Sequence, residues 1–111
     1  MNEKIKAIVE AIKEKKGIDI IIIDLTNISS FADFFVIATG ISSIQTNAIR
    51  ESVERKMKRI SKLKSIEGER GGLWILMDYS DVIVHIFQPK ERIKFSLEDL
   101  WADGKIIRIG D

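Results

Sequence analysis

At 111 residues, 45% hydrophobic and 32% charged, the chain has the size and composition of one compact domain spanning 1–111. Its 18 basic and 17 acidic side chains leave a formal net charge of +1, without the basic excess of a dedicated nucleic-acid-binding domain. It has no cysteine and a single histidine, His85, which excludes disulfide frameworks and thiolate or multi-histidine metal sites.

The N-terminal stretch predicts a helix over 3–15. Ile5, Ile8, Val9 and Ile12 fall on one stripe, and Gly17 ends the helix after Lys15 and Lys16. Glu3 and Glu10 interrupt its apolar residues, so it does not read as a signal peptide, and no apolar run approaches the roughly 20 residues of a membrane span. A cytoplasmic location is expected. Residues 19–25 (DIIIIDL) and 34–38 (FFVIA) are strands apolar enough to be covered on both faces. Ser42 or Ser43 caps a long helix reaching about Ser61, with Ile49, Val53, Met57 and Ile60 inward. A short strand over 64–67, the turn GERGG, and strands over 73–77 and 82–87 follow. The turn DYSD makes the last two a hairpin. Pro89 starts a helical region to about Trp101, and the tail KIIRIGD either adds a strand or stays loose. The fold class is α/β (α+β): a mixed sheet of about five strands flanked by helices, with a parallel crossover between the strands around the long helix.

Candidate chemistry is sparse. Asp24, Asp33, Asp78 and Asp81 lie near strand ends, where carboxylates either hold Mg²⁺ or cap turns. No phosphate-cradling glycine pattern accompanies them, which favours caps. His85, inside VIVHIF, reads as a hydrogen-bonded core residue rather than a general base. Arg55, Lys56, Lys58, Arg59, Lys62 and Lys64 form a basic run with no acid between them, suited either to RNA phosphates or to the solvated end of a helix. Among the late aromatics, Trp74 points to the sheet face opposite Leu73 and Ile75. Phe95 reads as core, while Tyr79 and Trp101 fit either core or a binding surface.

The order of short motifs adds to this. The stretch DIIIIDLTNISSFADFFVIATGISS resembles the opening half of the Iojap-like ribosomal silencing factors through Asp24, Leu25, Ser30, Asp33, Thr39, Gly40, Ser42 and Ser43. EGERGGLWILMDYSDVIVHIF is similar to their second half through Glu67, Gly68, Trp74, Asp78, Tyr79, Asp81, Val84 and His85, and Arg92, Leu97, Glu98, Leu100 and Trp101 match the closing motif. Two departures stand out. Ser80 replaces the usual turn glycine, so that turn is not expected to need a positive φ. At 94–96, Phe95 keeps a ring where the family usually adds a tyrosine hydroxyl.

The resemblance implies a fold similar to nucleotidyltransferases without their catalytic signature. It also implies a non-enzymatic role with no cofactor and no metal. The implied partner is ribosomal protein fourteen (uL14) of the large subunit, bound so as to block association of the subunits and repress translation under nutrient limitation, with a part in large-subunit maturation. A homodimer, no membrane contact and a peripheral contact with ribosomal RNA complete the expectation. The partner-binding set expected from it is Trp74, Asp78, Tyr79, Arg92, Glu98 and Trp101. The RNA contacts would come from Arg55, Lys56, Lys58, Arg59 and Lys62.

Overall fold

The computed structural model describes residues 2–110. Helix α1 (Glu3–Glu14) starts where the Asn2 side chain accepts the Ile5 N–H, and buries Ile5, Ile8, Val9 and Ile12 as one stripe. It closes through Lys16, whose φ is 63°, while Gly17 supplies clearance. A Cβ on Gly17 would stand 2.4 Å from the Ile12 side chain. Strands β1 (Ile18–Asp24) and β2 (Phe34–Thr39) pair antiparallel. Helix α2 (Ser43–Met57) follows, its first turn capped by the Ser42 hydroxyl, which accepts the Gln45 N–H.

Helix α2 ends about one turn before the expected Ser61. Met57 is its last buried anchor, and its carbonyl accepts from the N–H groups of both Ile60 and Ser61 as the chain tightens into a turn. Strands β3 (Ser65–Glu67), β4 (Trp74–Asp78) and β5 (Val82–Phe87) then form an antiparallel meander. Gly68 permits the β3–β4 turn: its φ is +86°, and a Cβ there would lie 1.9 Å from the Trp74 carbonyl oxygen. The β4–β5 hairpin is as expected, but Ser80 adopts φ 74°. The serine therefore takes the left-handed conformation anyway. Its N–H donates to the Asp78 carboxylate at 2.7 Å, which helps hold it there.

The helical region after Pro89 is two helices, α3 (Pro89–Phe95) and α4 (Leu97–Leu100), broken at Ser96, where φ is 40°. The tail forms β6 (Lys105–Arg108), so the sheet has six strands rather than about five, in the order β3-β4-β5-β2-β1-β6. β6 pairs antiparallel with β1 and satisfies backbone groups that would otherwise line an open edge. The parallel pair is β2 with β5, so the crossover carries not only α2 but also β3 and β4.

The alternation of side chains sorts the sheet into two unlike faces. On one, Ile20, Ile22, Val36, Ala38, Ile75, Met77, Val84 and Ile86 meet α1 and α2 and complete the larger core. On the other, Ile21, Ile23, Phe35, Ile37, Ile83 and Phe87 gather a second cluster with Leu97, edged by the half-buried Trp74, Leu76, Trp101 and Ile106. Only the short α3 and α4 accompany this second face, which leaves apolar side chains at its margin open to solvent.

Candidate partner-binding face

The second face is built around an aromatic row crossing β4, β5 and β2. Phe95 lies 4.6 Å from Trp74, centroid to centroid. Trp74 is 6.0 Å from His85, His85 is 4.5 Å from Phe35, and Phe35 is 5.9 Å from Trp101. Phe31 closes the row edge-on to Trp101 at 5.8 Å. Its interior is buried, with Phe35 and His85 each 4% exposed, and its ends are open: Phe95 is 41% exposed and Phe31 58%. Leu73, Ile93 and Leu100 are also exposed on the segments bordering the row. Phe95, expected in the core, is thus a surface residue: it is the last residue of α3, next to the break at Ser96, and its ring lies against Trp74 at the edge of the sheet face.

His85 fixes the row. The Trp74 indole Nε1–H donates to His85 Nδ1 at 3.1 Å, so the neutral imidazole carries its proton on Nε2. That Nε2 is buried with no hydrogen-bond partner among the described residues. Burial pushes the imidazole pKa down to about 3. A histidine that stays neutral and faces aromatic rings anchors a tryptophan; it does not serve as a general base.

The residues expected to bind a partner separate into four groups. Trp74 and Trp101 belong to the row and remain half-exposed. Tyr79 is 2% exposed and packs with the larger core on the opposite face, so it cannot anchor an external partner. Arg92 and Glu98 face each other. The Arg92 Nε–H donates to Glu98 at 3.1 Å and its Nη1–H to Thr39 Oγ1 at 2.8 Å, tying α3 and α4 to the end of β2. Arg92 is 9% exposed, so its charge is spent inside the protein rather than on a partner. Asp78 caps the β4–β5 turn. The row's open ends, Phe31 and Phe95, were missed in the sequence: nothing local separates an exposed aromatic from a buried one.

The remaining aspartates also serve local structure. Asp24 accepts from the Thr26 hydroxyl and N–H, bonds that hold its carboxyl below the usual range. Asp81 pairs with Lys4 at 2.6 Å, and the Asp33 carbonyl accepts the Leu25 N–H. Among the described residues, no group of three or more His, Asp or Glu side chains is placed to hold a metal ion.

The basic run lies with the α1–α2 layer, on the side of the sheet opposite the aromatic row. Arg55, Lys58, Arg59, Lys62 and Lys64 are exposed. Lys56 differs: it pairs with Glu14 at 2.6 Å and Glu10 at 3.8 Å, holding α2 to α1. The hydrogen bond from Lys56 holds the Glu14 carboxyl low and raises the Lys56 ammonium in turn.

Residues 1–111 match the family described as "Ribosomal silencing factor during starvation". The chain belongs to the ribosomal silencing factor family. It is 37% identical over 109 residues to the Bacillus subtilis protein named ribosomal silencing factor RsfS, covering 96% of this chain and 92% of that one. A mouse protein named "Mitochondrial assembly of ribosomal large subunit protein 1" is 26% identical over 103 residues, which are 88% of this chain and 45% of its own. A crystal structure of a Chromobacterium violaceum protein superposes with a TM-score of 0.88 at 35% identity, covering 92% of this chain and 88% of that one. The mixed sheet and its helices are therefore the fold of this family, as the sequence motifs implied. No helix among the described residues is long and apolar enough to cross a membrane.

Proposed function

We propose that this chain binds the large ribosomal subunit through its ribosomal protein fourteen and, by occupying that surface, blocks association with the small subunit. Family membership over the full length is the observation that carries this reading. The aromatic row supplies a means: half-buried rings with open ends, Trp74 with Phe95 and Trp101 with Phe31, are the kind of anchor that holds a protein partner. The mouse relative's name, which concerns assembly of a ribosomal large subunit, supports a part in large-subunit maturation as well. The mechanism is steric and uses no cofactor or catalytic residue. The protein would act in the cytoplasm, where ribosomes are, and would repress translation when nutrients are limiting. Ultracentrifugation of the protein with separated and assembled ribosomes tests this. It should travel with free large subunits, and equal travel with small subunits or with assembled ribosomes contradicts occlusion.

A peripheral RNA contact through Arg55, Lys58, Arg59 and Lys62 fits the same reading, since these cations are exposed and Lys56 is not free to join them. Neutralising Lys58 and Lys62 should flatten the salt dependence of binding without abolishing it. A homodimer is also proposed. Ile41, Ile44 and Leu73 are exposed around the ends of β2 and β5, and Ile44 is 84% exposed, apolar surface that a second copy would cover. Light scattering at micromolar concentration should give twice the monomer mass of 12.7 kDa, and the monomer mass alone refutes it.

A further inference from the structure

The sheet ends on a strand edge that neither the aromatic row nor the basic run uses. β6 is the last strand in the order and pairs with β1 on one side only. The Ile109 N–H donates to the Ile20 carbonyl at 3.0 Å, which fixes the direction of the backbone groups along the strand. In an antiparallel pair these groups alternate, so Lys105 and Ile107 turn theirs toward β1, as Ile109 does, and Ile106 and Arg108 turn theirs outward. The outward N–H and C=O groups have no backbone partner among the described residues. Such an edge is a template for a further strand.

The side chains around the edge say which strand it would accept. Ile107 lies beside Ile22 on the helix-covered side of the sheet, yet it is 37% exposed and leaves an apolar surface for a neighbour. Past the end of β6, a pocket of about 380 Å³ opens between the end of α1 and the start of β1. Ile18, Ile20 and Ile109 give it apolar walls, Lys13 and Lys16 bring cations to it, and Asp19 is its acid. Lys105, at the other end of the strand, shares its surroundings with Asp24 and Asp103. Lys13, Lys16 and Arg108 are exposed, and no ion pair engages them among the described residues. Positive charge is therefore in excess at the Arg108 end. Cations on an edge hold copies of the same edge apart, because two β6 strands side by side would crowd Lys105 and Arg108 of both. The same charge attracts a strand that carries acids.

We propose that β6 is a docking edge for an extended, acidic segment of a partner protein, which adds a strand to the sheet by pairing its backbone with Ile106 and Arg108. Alternate side chains of that segment fall on the two sides of the sheet. Apolar ones cover Ile107 and reach the pocket beyond Ile109, and acids meet Arg108, Lys13 and Lys16. Phosphates would satisfy the cations and the outward N–H groups, but they cannot donate to the outward carbonyls; an extended polypeptide does both.

Amide hydrogen exchange on the whole protein tests this. The probes are a short peptide alternating valine and glutamate, its valine–lysine counterpart, a fully N-methylated valine–glutamate copy and a uridine tetranucleotide. In the dilute protein alone, the Ile106 and Arg108 amides should exchange faster than those of Ile107 and Ile109, which are paired with β1. The valine–glutamate peptide should slow Ile106 and Arg108 saturably at millimolar concentration or below. The N-methylated copy keeps the charge and the apolar side chains but lacks the N–H groups, and it should leave them fast. Arg108→Gln, at an exposed position, should stay folded and weaken the peptide about threefold at Ile106, the worth of an exposed ion pair. The proposal is overturned if Ile106 and Arg108 are already slow in the dilute protein, if the valine–glutamate peptide leaves them fast, or if the N-methylated or valine–lysine peptide binds as tightly. Tighter binding of the tetranucleotide at this edge overturns it in favour of RNA. Slowing that grows with the concentration of the protein alone overturns it in favour of a second copy.

Discussion

Acidification should destabilise this protein through His85 before the surface carboxylates matter. In the unfolded chain the imidazole titrates near 6.5, whereas in the fold it resists protonation down to about 3. Between those values the unfolded state binds a proton that the folded state refuses, so stability falls as pH falls, by up to about 1.4 kcal/mol per pH unit. From pH 7 to pH 5 the loss from this one residue comes to about 2 kcal/mol. For a domain of this size that lowers the unfolding temperature on the order of 10 °C. Glu14 and Asp24, whose carboxyls are held low, lose their contributions only at more acidic pH, so the window isolates the histidine. Urea unfolding at pH 7, 6 and 5 measures the slope directly. His85→Gln keeps an amide oxygen that can accept the Trp74 indole N–H; it should lower stability at pH 7 and remove most of the slope. A parent protein that loses under about 0.5 kcal/mol across the window, or a glutamine variant with an unchanged slope, refutes the buried neutral imidazole.

Two further substitutions probe the scaffold around the site. Glu98→Ala leaves the Arg92 guanidinium buried beside Thr39 without its carboxylate. It should cost about 2 kcal/mol in urea unfolding, less than a fully dry pair because the Glu98 side chain keeps some exposure, and a neutral result contradicts the internal role given to both residues. Ser80→Gly relieves a side chain held at φ 74° and should stabilise the hairpin by about 0.5 kcal/mol once the flexibility of glycine in the unfolded chain is subtracted; destabilisation beyond about 1 kcal/mol would mean that the serine side chain contributes more than the backbone costs.

The strands, their order along the chain and the hairpin were legible because runs such as DIIIIDL and VIVHIF carry their burial in their composition. The role of β6 was not, because KIIR is too short and too charged to signal a strand until β1 offers it an edge. The same limit explains the site residues. Trp74, Tyr79 and Arg92 share motif positions, but which face each enters depends on strand register and on the break at Ser96, both settled by tertiary packing. Tyr79 ended under α2 and Trp74 on the open face although only five positions separate them. Motif resemblance alone does not tell a partner contact from an internal brace, and Arg92 with Glu98 forms an ion pair within the protein.

The central claim is that the aromatic face holds the large subunit and thereby prevents joining. Stopped-flow light scattering of large and small subunits mixed after preincubation with the protein measures this. The parent protein should suppress the joining signal in proportion to its occupancy of large subunits. Trp101→Ala combined with Phe31→Ala, shown by circular dichroism to remain folded, should need about 30-fold more protein for the same suppression, the equivalent of about 2 kcal/mol for a lost anchor. Undiminished suppression by that folded variant, or full joining in the presence of saturating parent protein, contradicts the account.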